Sequence, residues 1–162
     1  MKKIIPILIL FASAPALAGD LYLDVNGYSW HSQDTYVYKG KRHEYNSNNA
    51  GIGFTYGLNK YVEAFAGYYY NSFNRDTLYG GAKLKRDFAF GNVTITPGLN
   101  VGVATGYSKT PAQSDYYQVV IMPAVRVTYR GVGMTLGYLP PFEKENFAAV
   151  SVITAQINIR VR

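Results

Sequence analysis

The chain of 162 residues carries 16 Lys+Arg against 10 Asp+Glu, a formal net charge of +6, with 16 Tyr, 16 Gly and no Cys. It is 48% hydrophobic and 15% aromatic but only 16% charged, against roughly 25% charged in a typical soluble domain. The length excludes a multi-domain chain, the missing thiols exclude disulfide staples and Cys-ligated metal, and the aromatic and β-branched content excludes disorder.

Met1-Lys2-Lys3 is a positive n-region, Ile4 to Phe11 an apolar stretch, and Ala16-Leu17-Ala18 a small-residue cleavage signal. Residues 1–18 therefore read as a secretory signal peptide and 19–162 as one exported domain. The apolar run is interrupted at Pro6 and Pro15 and falls short of the roughly 20 residues that span a bilayer as a helix.

Beyond it, apolar side chains recur at every second position, the period of a strand. Leu21, Leu23 and Val25 alternate with Tyr22, Asp24 and Asn26. After a polar stretch over 32–48, Ile52, Phe54, Tyr56 and Leu58 alternate with glycines and Thr55. Across Asn59-Lys60, Val62, Ala64, Ala66, Tyr68 and Tyr70 oppose Glu63 and Phe65; Leu78, Ala82 and Leu84 then oppose Lys83 and Lys85. The longest alternation, 92–107, sets Val93, Ile95, Leu99, Val101, Val103 and Tyr107 against Thr, Gly, Asn and Ala. Val119, Ile121, Val125, Val127 and Tyr129 oppose Gln118 and Arg126; past Arg130-Gly131, Val132, Met134, Leu136 and Tyr138 oppose Gly133, Thr135 and Gly137. Ile153, Ile157, Ile159 and Val161 close the series opposite Gln156, Asn158 and Arg160.

Short turns alternate with longer polar loops over 32–48, 108–115 and 139–147. This predicts an all-β fold, an eight-stranded antiparallel up-and-down transmembrane β-barrel in the outer membrane of a Gram-negative bacterium. A soluble barrel would carry more charge on its polar face. Tyr56, Tyr61 and Tyr129 fall at one end of the strands and Tyr68, Tyr70, Tyr107, Tyr117 and Tyr138 at the other, as two interfacial girdles would.

A barrel of this size is just wide enough for side chains to fill it or for one small ligand. The lumen-facing glycines either make room for Tyr22, Tyr28 and Phe65, giving a plugged core, or leave a slot for an acyl chain; composition favours the plug. Asp24, Glu63, Lys83, Lys85, Arg126 and Arg160 are expected to pair across the lumen. Lys39, Lys41, Arg42 and Lys109 lie in the predicted outer loops, where they suit anionic lipid phosphates rather than nucleic acid. No motif calls for a cofactor or metal, and the expected state is a monomer.

The stretches Tyr28-Ser29-Trp30-His31, Tyr45-Asn46 and Gly51-Ile52-Gly53-Phe54-Thr55-Tyr56-Gly57-Leu58, followed by Asn71-Ser72, Val119-Val120-Ile121-Met122-Pro123 and Gly137-Tyr138-Leu139-Pro140, form an ordered set. Together they resemble the lipid A palmitoyltransferases of enterobacterial outer membranes. The resemblance implies transfer of an acyl chain from a phospholipid to lipid A, with the chain held inside the barrel. It implicates His31 as base and Ser72 as nucleophile or substrate-polarising hydroxyl, with Asn71 orienting where the family carries Asp. It places Gly81 or Lys83 near the end of the acyl chain, and Pro123 and Pro140 at breaks in strand pairing. In the register above, His31 and Ser72 share the parity of lipid-facing residues. Separated by one strand, they start about 10 Å apart at about 4.8 Å per strand. The rival expectations are a non-enzymatic barrel whose outer loops bind a partner or lipopolysaccharide, and a decayed transferase that still binds lipid.

Overall fold

The computed structural model describes residues 19–38, 40–107, 117–141 and 150–162. The expected signal peptide, Lys39, Lys109 and much of two outer loops lie outside the described residues.

The described strands are β1 (Leu21–His31), β2 (Thr35–Tyr38), β3 (Lys41–Glu44), β4 (Asn48–Gly57), β5 (Val62–Tyr70), β6 (Asp76–Lys85), β7 (Phe88–Phe90), β8 (Val93–Ala104), β9 (Gln118–Tyr129), β10 (Val132–Leu139) and β11 (Val152–Arg160). Neighbours pair antiparallel in the order β6-β5-β4-β1-β11-β10-β9-β8, and β8 returns to β6. Each of the eight long strands pairs with two neighbours, so the ring closes on itself. β7 is a short strand that pairs with the start of β8.

The predicted polar loop over 32–48 is partly structured. β2 and β3 form a separate hairpin above the barrel, with Thr35 opposite Glu44 and Tyr38 opposite Lys41. The predicted strand over 92–107 ends earlier, at Ala104. Gly106 follows with φ +80°, a conformation open to glycine, and turns Tyr107 toward the lumen, where its hydroxyl meets that of Tyr69 at 2.6 Å. Tyr107 is therefore not a girdle residue. The tight turn at Arg130 and Gly131 has φ of 48° and 87°; two positive values suit the twist of a two-residue hairpin.

Burial is inverted relative to a soluble domain. Glu63, Asn158, Thr77, Thr96 and Asp24 are among the most completely buried side chains, whereas Ile52, Phe54, Leu78, Ile121, Val127 and Leu136 are exposed. An apolar exterior around a polar interior is the arrangement for lipid outside. Tyr61 and Tyr129 are exposed at the end carrying the tight turns, and Tyr68, Tyr70, Tyr117 and Tyr138 at the other.

Candidate functional site

The direction of His31 is set four residues earlier. β1 pairs with β11 from Tyr22↔Arg160 to Asn26↔Gln156, then slips by one residue so that Tyr28 lies opposite Ala155. Gly27 is the extra residue, a bulge, and a one-residue slip moves every later side chain to the other face. Tyr22 and Asp24 point inward before it; Ser29 is buried after it, and Tyr28 and Trp30 are exposed, their rings 4.8 Å apart. Tyr28 is thus on the outer face rather than filling the lumen, and His31 borders the internal cavity rather than facing lipid.

Ser72 arrives from the opposite side. It lies two residues beyond the end of β5 and belongs to the turn 71–75, so strand parity no longer governs it. The chain entering β4 lies between: the Asn46 backbone N–H donates to the Ser72 carbonyl at 2.8 Å. His31 Nε2 and Ser72 Oγ are 2.8 Å apart. The 10 Å separation expected from strand spacing is therefore closed by the turn and by the bulge.

Asn71 does not orient this pair. Its Oδ1 accepts the backbone N–H groups of Phe73 at 2.9 Å and Arg75 at 3.1 Å. Its Nδ2 donates to Thr77 Oγ1 at 2.9 Å and to the Gly106 carbonyl at 3.1 Å. All of the amide is committed to shaping its own turn and pinning it to β6 and the end of β8. His31 Nδ1 is buried and, among the described residues, has no hydrogen-bond partner. The pair is a dyad without a third polar member.

Beneath the dyad lies a cavity of about 600 Å³, inside the range of small-molecule sites. This corrects the plugged core favoured by composition: the charged and polar side chains of the lower lumen, Glu63, Arg126, Asp24 and Asn158, form the floor of the cavity. There Glu63 takes two hydrogen bonds from Arg126, at 2.6 and 3.1 Å, with Lys85 Nζ at 3.7 Å. Arg126 also lies over the Tyr22 ring, 4.3 Å from its centroid. Asp24 accepts from Thr55 at 2.6 Å and Asn158 at 2.7 Å rather than from a cation. Arg160 pairs with Asp20 at 3.7 Å on the exposed rim, outside the lumen. Lys83 is 4% exposed, borders the cavity and makes no ion pair among the described residues. Gly81 does not line the cavity. It seats the Phe65 ring, which a Cβ there would meet at 2.9 Å.

The upper cavity is lined by Val120, Met122, Leu139, Pro140, Val152 and Thr154 on one side and by Phe65, Tyr69, Tyr79, Ser29 and Asn49 on the other. Tyr69 and Tyr107 close it with a hydroxyl pair at 2.6 Å. Burial pushes the Tyr107 phenol up to about 12, so it stays neutral. The wall is open on one side. β9 pairs with β8 along its whole length, from Ala104↔Gln118 to Val93↔Tyr129, but pairing with β10 stops at Gly137↔Ala124. Residues 118–123 of β9, about 20 Å at about 3.3 Å per residue, have no ladder partner on β10 among the described residues. Pro123 stands at that break, where it lacks an N–H to donate. Val119, itself exposed on the outer face, also borders the cavity, so the cavity reaches lipid near this seam.

No protein-family model matches the sequence, and neither does any curated protein. Three solved structures resemble the fold. Neisserial surface protein A is 18% identical with a TM-score of 0.43, over 88% of this chain and 97% of that one. Ail, the attachment invasion locus protein of Yersinia pestis, is 13% identical with a TM-score of 0.42, over 88% and 97%. The N-terminal β-barrel domain of Pseudomonas aeruginosa OprF is 11% identical with a TM-score of 0.40, over 86% and 97%. The likeness is one of fold, and the eight-stranded antiparallel barrel with its apolar exterior is given in this chain by its own strand pairing and burial.

Sequence reasoning missed the bulge and the roles of Tyr69 and Tyr107. A lone Gly inside an alternating strand is a bulge signal, and Gly27 carries it. Nothing local marks a hydroxyl pair between residues 38 positions apart.

Proposed function

We propose that the chain is an acyltransferase that moves an acyl chain from a phospholipid to lipid A. One observation carries the reading: a His–Ser contact of 2.8 Å stands at the mouth of a cavity of about 600 Å³ whose wall is unpaired toward the lipid. Hydrocarbon has a reason to enter the upper lumen, and the ester it carries would then lie beside a nucleophile and a base.

The step balances as a double displacement. Ser72 Oγ attacks the ester carbonyl while His31 Nε2 takes its proton, and that proton passes to the departing glycerol oxygen, leaving a lysophospholipid. A lipid A hydroxyl then attacks the acyl-serine, gives its proton to His31, and restores Ser72 with its hydrogen. The reaction needs no cofactor or metal, and a single barrel holds both groups. Lys41 and Arg42, exposed on β3, are suitably charged for lipid A phosphates.

The missing third member favours a second reading. With His31 Nδ1 unpartnered among the described residues, none of them supplies a polar group to stabilise the imidazolium, as fits a lipid-binding barrel that has lost turnover. Mass spectrometry of lipid A from cells expressing the chain separates the two. Added acyl mass that vanishes in His31→Ala is the transferase outcome. No added mass in the wild-type chain ends that reading.

A further inference from the structure

A His–Ser dyad normally relies on an acid that hydrogen-bonds the second imidazole nitrogen and holds the ring in place. Here Asn71 is committed to its own turn, and Nδ1 meets no hydrogen-bonding group among the described residues. Something else must fix the ring. The Tyr45 ring lies parallel to the His31 ring, 4.5 Å between centroids and 2° between planes.

Tyr45 is itself held from above. Tyr36, on the hairpin strand β2, approaches it at 4.9 Å, and Phe73, one residue past Ser72, meets it edge-on at 5.6 Å. The next residue acts on the other half of the dyad. The Asn46 N–H donates to the Ser72 carbonyl at 2.8 Å, and Asn46 Nδ2 donates to the Asn71 carbonyl at 3.2 Å.

We propose that Tyr45 and Asn46 are the positioning residues of the dyad, aligning His31 by ring stacking and Ser72 by a backbone clamp in place of an orienting acid. This rests on the acyl-transfer reading of the same site. The ring of Tyr45, rather than its hydroxyl, carries the effect, because the contact is face to face. A shift of about 1 Å at a reacting group lowers turnover by about 100-fold, so this dipeptide can control rate without touching substrate.

The test uses the full chain folded in detergent micelles, as wild type, Tyr45→Phe, Tyr45→Leu and Asn46→Ala. Acyl transfer is followed by mass spectrometry over a range of phospholipid concentrations, and the His31 ring protons by NMR. Tyr45→Phe is expected to keep turnover within about twofold and leave the ring-current shift of His31 in place. Tyr45→Leu is expected to remove that shift and lower kcat about 10- to 100-fold with little change in KM. Asn46→Ala keeps the backbone bond to Ser72 but removes the Nδ2 bond to the Asn71 carbonyl, and is expected to lower kcat a few-fold at most while the His31 signals stay unchanged. Wild-type kcat in Tyr45→Leu, or equal losses in the Phe and Leu variants, overturns the proposal. If the wild-type chain transfers nothing, the acyl-transfer reading fails by itself and NMR still decides the positioning: unaltered His31 shifts in Tyr45→Leu refute it.

Discussion

The two ends of the lumen are built from the same alternation of residues yet differ in kind. Toward the tight turns, Arg126 holds Glu63 with two hydrogen bonds, Lys85 stands beside them, and Asp24, Thr55 and Asn158 are joined to one another. Toward the loops apolar and aromatic side chains share the wall with uncharged polar ones such as Ser29, Asn49 and Thr154, a cavity lies inside, and β9 parts from β10. Removing one side of the Arg126–Glu63 pair would strand a buried charge, which is very unfavourable. Small and branched residues at the upper end leave space that no side chain of the described residues fills. The lower half therefore secures the fold, and the upper half is free to hold something else.

This division can be broken from either side. His31→Ala is expected to reduce acyl transfer by about 10²- to 10⁴-fold, the contribution of a general base, while its urea unfolding curve in lipid vesicles matches that of wild type. Arg126→Ala is expected to do the reverse in kind. It leaves Glu63 buried without its two bonds and should lower the unfolding free energy by about 3–5 kcal/mol, measured by the same urea titration. A fall in stability for His31→Ala as large as that for Arg126→Ala would erase the distinction between the halves.

Val120→Trp sharpens the comparison. Val120 lines the upper cavity, so a larger ring there should displace an acyl chain and cut transfer about tenfold or more, with little loss of stability. Unchanged transfer would show that the chain lies elsewhere. Asn71→Asp carries the smallest effect. A carboxylate cannot donate to Thr77 Oγ1 or to the Gly106 carbonyl as Nδ2 does. The substitution should therefore destabilise the outer rim by about 1–3 kcal/mol and not raise transfer. A gain of transfer would mean that the acid reaches His31 after all.

The period of two made the barrel legible, because a lipid-facing surface demands an apolar residue at every second position whatever the loops do. Leu78 and Leu84 were placed outward and Glu63 and Arg126 inward on that ground alone, and they stand so. The dyad was legible as a resemblance in residue types but not in geometry. Strand parity sent His31 to the lipid side because the Gly27 bulge was counted as one more alternating position. Strand spacing likewise set Ser72 about two strands' width away, since a residue beyond the end of β5 is placed by its turn. The cavity was misjudged for a related reason. Tyr28 counted as filler but stands on the outer face, and Gly81, counted near the acyl chain, seats Phe65. Volume inside a barrel depends on which large side chains turn inward, and a single bulge changes that set.

Where a bound acyl chain lies is the most direct test. With methyl-labelled protein and a protonated palmitoyl phospholipid in deuterated micelles, contacts from the chain to the Val120 methyls report the upper lumen, since Val120 borders the cavity. Val127, on the outer face, reports the bilayer side. The expected result is strong chain contacts at Val120 in the wild type, lost in a chain whose lumen is filled by Thr154→Trp, since Thr154 lies opposite the buried Ser29 and borders the cavity, with those at Val127 unchanged. Contacts at Val127 alone, with Val120 silent, would contradict a lumen that holds hydrocarbon.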